Sequence, residues 1–406
     1  MKKAYFALVV VLICLNAMGQ NDGKITIGKI DSLYSEVLGE QRKIWIHVPS
    51  GNYNNESQSQ KYPVLYLLDG KSNFYSTIGI TSYLSTSNRN TVLPKMIVVG
   101  ILNTDRVRDF TPSKGNFLDG TVAEKSGGGT NFIEFLEKEL IPYIDSNYPT
   151  ESYRTLIGHS LGGLTVMNTL MTKPELFNSY TAIDPSMWWN DKKFLQSIKT
   201  TKLPKANKTL SIFLGIANTF KIDTSAVKND TSTKTMPVRA MLELHSYFED
   251  IQTKTNLNYK GKFYQDENHI TVGHIAIYDA LRFIFKFHQL EFSDHELKDT
   301  NQDIIARIKK HYKNVSLEYG RPIQPKRYFI ESLANKLLEM KLYEKAESLF
   351  RYNISVYPDD SYTYNILGDF LITRTHKKEA IEIFKQSYAI DQNSYARDKI
   401  KVLKIN

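Results

Sequence analysis

Ser160 lies in Gly158-His159-Ser160-Leu161-Gly162-Gly163, between an apolar run, Thr155-Leu156-Ile157, and a helical pattern, Leu164 to Met171. Strand, sharp turn and helix form the setting in which the serine of G-x-S-x-G becomes an exposed nucleophile. The glycines are required because side chains two positions either side of so tight a turn would collide, and the serine itself is strained. The spacing alone is a weak signal, since a glycine-rich turn after any strand gives the same pattern. A working serine also needs a base within hydrogen-bond reach, a group that orients the base, and donors for the oxyanion.

In the strand–elbow–helix arrangement the chain order is Ser, acid, His. The base is therefore expected beyond the last strand. His269, in the polar turn Asp266-Glu267-Asn268-His269-Ile270-Thr271, is the candidate. His274, at the entry to the following helix, comes second and reads as a cap or pocket wall; His159 reads as packing. The acid is expected on the loop after the strand Thr209 to Ala217. The first polar residue there, Asn218, carries no charge. Asp223 is the nearest carboxylate and the candidate acid, with Asp230 further along. The alternative is a Ser-His dyad in which Asn218 or a backbone carbonyl orients His269. For the oxyanion, the backbone N–H of Leu161 opens a helix and adds its dipole. A second backbone donor is expected from the loop after an earlier strand, at Gly70 or Lys71. There is no H-E-x-x-H, cysteine cluster or phosphate loop, so this chemistry calls for no metal and no cofactor.

The elements that must position these groups read as an alternation of strands and helices. Ile44 to Val48 alternates as a strand; Tyr62 to Leu68, Lys95 to Ile101 and Thr209 to Ala217 are continuous apolar runs, as buried parallel strands should be. Ser179 to Ile183 and Tyr259 to Tyr264 complete the set. Helical patterns cover Asn131 to Ile144, Pro237 to Lys254 and Ile275 to Phe287. The alternation predicts an α/β fold with a mostly parallel sheet and helices on both faces. Ligands in such sheets bind at the carboxyl ends of strands, which is where Asp69-Gly70, Ser160, Asn218 and His269 fall.

Beyond Ser293 the strand pattern stops. Ala334 and Gly368, Leu337 and Leu371, Ala346 and Ala380, Phe350 and Phe384 are each 34 residues apart. That period, with small residues at helix crossings and an aromatic near the end, is the tetratricopeptide pattern. It predicts a small all-α tail of two repeats. Two are fewer than the three needed for independent stability, so the pair is expected to dock on the rest of the chain or on a protein partner. The layout expected is a signal peptide at 1–19, an α/β domain carrying the candidate serine at 20–292, a helical linker at 293–326 and repeats at 327–406.

Bulk properties narrow the function classes. The chain has 406 residues, 41% hydrophobic, and a net charge of +9. Its Lys and Arg are dispersed, without the basic stripe that nucleic-acid binding requires. Lys2 and Lys3, the apolar Ala4 to Leu15 and Ala17-Met18-Gly19 read as a cleavable signal peptide, predicting a periplasmic or secreted protein. The one cysteine, Cys14, lies inside that segment, so the mature chain is expected to hold no disulfide. No later stretch approaches about 20 apolar residues, so no membrane span is expected after cleavage.

Five segments together resemble a known family: Tyr66-Leu67-Leu68-Asp69-Gly70, Arg108-Asp109-Phe110-Thr111-Pro112, Gly158 through Gly163, Pro185-Ser186-Met187-Trp188-Trp189, and His269 through Phe283. Together they resemble the esterase D / putative esterase family, which includes siderophore and feruloyl esterases. The likeness runs from about Ile25 to Leu290. It implies an α/β-hydrolase fold, Ser160 as nucleophile, His269 as base, and Trp188 and Trp189 near the substrate pocket. Asn218 departs from the pattern, since many relatives place an acidic residue there. The resulting expectation is a serine esterase acting on siderophore, feruloyl, acetyl-polysaccharide or similar esters. Two other readings are an interaction protein tethered through its repeats, with a weakly active hydrolase domain, and an acyltransferase.

Overall fold

The computed structural model describes residues 25–49, 60–86, 92–201, 203, 209–221, 227 and 230–405. The expected signal peptide at 1–19, with Cys14, lies outside the described residues. Eight strands form one sheet: β1 (Lys29–Ser35), β2 (Glu40–His47), β3 (Tyr62–Leu67), β4 (Ile97–Ile101), β5 (Thr150–His159), β6 (Ser179–Ile183), β7 (Leu210–Ala217) and β8 (Leu257–Tyr264). Their spatial order is β1-β2-β4-β3-β5-β6-β7-β8. β1 pairs with β2, and β2 with β4, antiparallel; the other five pairings are parallel. Every residue of β3, β4, β6 and β7 is buried. Both faces of those strands are covered, which is why their sequences run largely apolar, with only small or aromatic polar residues, and without alternation.

Helices cover both faces. Over one lie α2 (Arg106–Phe110), α3 (Gly129–Phe135), α4 (Ile141–Asn147), α5 (Leu161–Thr172), α6 (Lys193–Thr200) and α7 (Met236–Gln252). A π-helical turn, Leu136–Leu140, joins α3 to α4. Over the other lie α1 (Gly70–Thr86) and α8 (Val272–Ile284). The sequence pattern does not announce α1, which is rich in Gly, Ser, Thr and Ile, all weak helix formers. Burial of Phe74, Ile78 and Leu84 against the sheet holds it.

The C-terminal region is all-helical: α9 (Asp294–Lys298), α10 (Ile304–Tyr319), α11 (Arg327–Glu339), α12 (Tyr343–Val356), α13 (Ser361–Thr373), α14 (Lys377–Asp391) and α15 (Ser394–Ile405). All eight residues of the 34-residue offset are buried. Gly368 lets α13 approach α14: a methyl there would sit 2.6 Å from the Phe384 ring. The helix α10 spans the junction. Ile304 and Ile308 enter the core of the helical region, while Val315 and Tyr319 pack against the sheet's second face. Ser152 donates to the Tyr319 carbonyl at 3.2 Å, and Arg321 pairs with Glu151. Both anchors lie at the start of β5, the end opposite Ser160.

Candidate active site

The elbow closes β5 and opens α5. Ser160 has φ 60° and ψ −120°, a conformation that costs a non-glycine residue roughly 1–3 kcal/mol and persists only where the surroundings enforce it. Its N–H donates to the Ile183 carbonyl at 3.0 Å, and its carbonyl accepts from Leu164 and Ser186, each at 3.0 Å. The two outer glycines answer to close approach. A methyl on Gly158 would overlap the Gly162 carbonyl, and one on Gly163 would lie 2.9 Å from the Pro185 ring. Asp69 and Asp184 also have positive φ, 54° and 43°. The adjacent strands β3, β5 and β6 therefore each end in a left-handed turn, and the three turns meet at one edge of the sheet.

Ser160, His269 and Asp184 are joined at that edge. His269 Nε2 lies 3.1 Å from Ser160 Oγ, and His269 Nδ1 lies 2.6 Å from Asp184 Oδ2. A carboxylate only accepts, so the ring proton is on Nδ1, and Nε2 is left to accept from the serine hydroxyl. Asp184 is buried, and its Oδ1 accepts the Ala217 N–H at 2.8 Å. The carboxylate is thereby fixed on both oxygens. The loop carrying His269 is held by the two residues that follow β7: Asn218 N–H donates to the Glu267 carbonyl at 2.9 Å, and His269 N–H donates to Thr219 Oγ1 at 3.0 Å. Ser186 Oγ stands 3.4 Å from Ser160 Oγ.

The carboxylate on His269 is a correction to the expected acid. It comes from the end of β6, one strand earlier than anticipated, and the Ser, acid, His order is kept. Asp223 lies outside the described residues. Asp230 is engaged in its own turn, accepting from Ser232 N–H at 2.8 Å and Thr235 Oγ1 at 2.9 Å. Asn218 does not orient the His269 ring; its Nδ2 donates to the Gln265 carbonyl at 3.2 Å and braces the loop. His274 is exposed on the first turn of α8.

Leu161 is the first residue of α5, and Gly70 and Lys71 open α1. N–H groups at such positions have no intrahelical acceptor. The two helix starts adjoin, because a methyl on Gly162 would lie 3.4 Å from Leu68 Cβ and 3.3 Å from Asp69 Oδ2. Asp69 is clamped by Arg106 through Nε at 2.7 Å and Nη2 at 2.8 Å, and Arg106 Nη2 reaches the His159 carbonyl at 3.3 Å. In the Arg108-Asp109 segment, the buried Asp109 accepts from Arg42 at 2.6 Å and Arg108 at 2.7 Å. These ion pairs fix the backbone beside the elbow.

The two tryptophans of the Pro185-Ser186-Met187-Trp188-Trp189 segment differ in exposure. Trp189 is fully buried, donates Nε1–H to the Ser113 carbonyl at 3.2 Å and packs edge-on against Phe117. It offers no surface to a ligand and instead pins the loop that follows α2. Trp188 is half-buried, its ring 6.0 Å from that of Trp189. His159 was expected only to pack, yet its Nε2 lies 2.7 Å from the His269 carbonyl.

No described helix is long and apolar enough to cross a membrane. Among the described residues, no group of three His, Cys, Asp or Glu side chains is placed to hold a metal ion.

Known proteins share this architecture and sequence. A family model described as putative esterase matches residues 35–260, which include Ser160 and Asp184 and end before His269. Ferri-bacillibactin esterase BesA of Bacillus subtilis is 30% identical over 241 residues, 55% of this chain and 78% of that protein. Siderophore enterobactin esterase of Emericella nidulans is 29% identical over 157 residues, 35% of this chain and 52% of its own. Among solved structures, an IroE-like serine hydrolase from Shewanella oneidensis superposes with a TM-score of 0.63 at 28% identity, covering 81% of this chain and 99% of that one. An uncharacterised protein from Capnocytophaga ochracea, 16% identical, shares the fold over 93% of this chain and all of its own, with a TM-score of 0.64. With a family model over more than half its length and a mostly parallel sheet flanked by helices, the chain belongs to the putative esterase family and is an ester hydrolase of α/β-hydrolase fold.

Proposed function

We propose that this protein is an exported serine esterase that hydrolyses siderophore-type esters through an acyl-enzyme. The observation that carries the reading is the relay Ser160 Oγ, His269 Nε2, His269 Nδ1, Asp184 Oδ2, with spacings of 3.1 and 2.6 Å. Ser160 Oγ attacks the ester carbonyl carbon while His269 Nε2 takes its proton. Asp184 holds the ring in the accepting tautomer and stabilises the imidazolium that forms. The tetrahedral oxyanion is received by the Leu161 N–H and by the N–H of Gly70 or Lys71, where helix dipoles reinforce the donors. Collapse breaks the ester C–O bond, and His269 returns the proton to the departing alkoxide. Water, deprotonated by His269, then attacks the acyl-enzyme and releases the acid and free Ser160.

The substrate class rests on relatives whose names specify siderophores: ferri-bacillibactin, enterobactin, triacetylfusarinine C and apo-salmochelin. Export rests on the signal-like start of the sequence. The helical region is proposed as a two-repeat tetratricopeptide tail that recruits a protein partner at the sheet's far end, leaving the site open. Incubation of the purified protein with a catecholate trilactone such as enterobactin, followed by chromatography of the products, tests the reading. Linear oligomers and monomers should form with wild type and not with Ser160→Ala. Turnover by Ser160→Ala equal to wild type would overturn it.

A further inference from the structure

We propose that His159 is the residue that positions the general base: its imidazole clamps the His269 peptide and packs on the His269 ring. This rests on the reading of Ser160 as nucleophile and His269 as base. His269 sits in a loop between β8 and α8, without a ladder of its own, so its register depends on side-chain and backbone tethers. Those from Asn218 and Thr219, just after β7, hold the loop from one side, ending at the His269 N–H on Thr219. The carbonyl of the same residue is held from the opposite side, by His159 Nε2 at 2.7 Å. Because a carbonyl only accepts, that nitrogen carries the proton and the ring is a donor.

The clamp is rigid because its root is. His159 is the last residue of β5 and pairs with Ile183 in the parallel ladder. It is joined covalently to Ser160 and anchored again where Arg106 reaches its carbonyl. Nucleophile and base are therefore registered to each other through one residue of the elbow. The two imidazoles lie 4.6 Å apart, centroid to centroid, inclined by 38°. Contact this close permits one positive charge and penalises two. Burial pushes His159 below the ordinary histidine range, and the His269 ring beside it pushes the same way. His159 thus stays neutral as His269 becomes an imidazolium, and the charge is left to Asp184.

Variants separate the clamp from simple packing. His159→Phe keeps a ring on His269 but loses the donor; His159→Gln loses the ring but places an amide N–H where Nε2 stood. With a small p-nitrophenyl ester, His159→Phe should lower kcat about 30-fold at a KM within twofold of wild type, the loss expected for sub-ångström misplacement of a base. His159→Gln should recover to within about threefold. Fluorophosphonate labelling of Ser160 should slow in parallel with kcat. His159→Leu, smaller and also without a donor, replaces His159→Phe if the larger ring fails to fold. A kcat in the donor-less variant equal to wild type overturns the clamp, as does His159→Gln being as slow as the donor-less variant at an unchanged Tm. Failure of wild type itself to label at Ser160 would instead sink the esterase reading on which the clamp rests.

Discussion

His269 Nδ1 and Asp184 Oδ2 meet at 2.6 Å although 85 residues separate them, and the other oxygen of that carboxylate is fixed by the Ala217 N–H at 2.8 Å. The second bond decides what an amide would do here. In Asp184→Asn the amide oxygen stays on the Ala217 N–H, which turns the NH2 toward Nδ1. The ring proton must then move to Nε2, where it can no longer accept from Ser160. Turnover of p-nitrophenyl acetate should fall about 10⁴-fold, as when a triad aspartate is replaced by its amide. Asp223→Asn, made in parallel, should stay within twofold of wild type. The reverse ranking would return the role to Asp223.

That contrast also marks where sequence reading reached its limit. Ser160 and His269 could be singled out as candidates because each sits in a local pattern with a physical cause: a glycine-flanked turn after a buried strand, and a polar turn between strand and helix. The acid has no such signature, since any strand on the right edge can deliver a carboxylate. A cue was nonetheless present: Asp184 directly follows the short strand ending at Ile183, every residue of which is buried, and a charged residue at the mouth of a buried strand is costly unless it is paired. The strands β3, β4 and β7 were legible because burial on both faces leaves almost only apolar residues, and β6 because its few polar residues are small or β-branched. The edge strand β1, with exposed Lys29, Ile30 and Ser32, has no such constraint. Its place comes from pairing with β2.

The strain at Ser160 gives a second prediction. Alanine and serine both carry a Cβ that φ 60°, ψ −120° disfavours, whereas glycine does not. Ser160→Ala and Ser160→Gly should both lose nearly all activity. The glycine variant should be more stable than the alanine one by about 1 kcal/mol, the relief of strain less glycine's greater chain entropy. Urea midpoints at pH 7.5 measure the difference. Equal midpoints would show that the elbow is not strained in the folded state.

A third concerns the seam between the sheet and the helical region. His288 is half-buried there, near Lys326 and His311, with its Nδ1 shielded from solvent and lacking a hydrogen-bond partner among the described residues. Burial is the main cause that depresses its imidazole from 6.5 to about 4, and the two neighbours add to it. Above pH 6.5 the group is neutral folded and unfolded, and stability is independent of it. As pH falls from 6.5 toward 4 the unfolded chain binds the proton that the folded chain refuses, so stability is lost. At pH 5 the loss is about 2 kcal/mol. Between pH 7.5 and 5.0 wild type should lose that much more unfolding free energy than His288→Leu, whose other titrations are the same. Parallel losses in the two proteins would remove His288 as the cause.

The last prediction separates the helical region from catalysis. Its anchors on the sheet, Glu151 and Ser152, are eight or nine residues upstream of Ser160 on one continuous strand, a distance of about 30 Å at the rise of an extended chain. Phe384 fills the space that Gly368 leaves between α13 and α14, and both are buried. Phe384→Ala empties that space and should cost the helical region about 3–5 kcal/mol. Gly368→Ala over-fills it and should cost about 1–3 kcal/mol. Neither change touches the sheet or the turns that end β3, β5 and β6, so kcat and KM for a small ester should remain within twofold of wild type. Because β5 is packed by Val315 and Tyr319 of α10 and not by α13 or α14, thermal unfolding of Phe384→Ala should show an early transition in which helicity falls while esterase activity persists. Loss of activity together with that first transition would mean that the catalytic sheet depends on the distal helices.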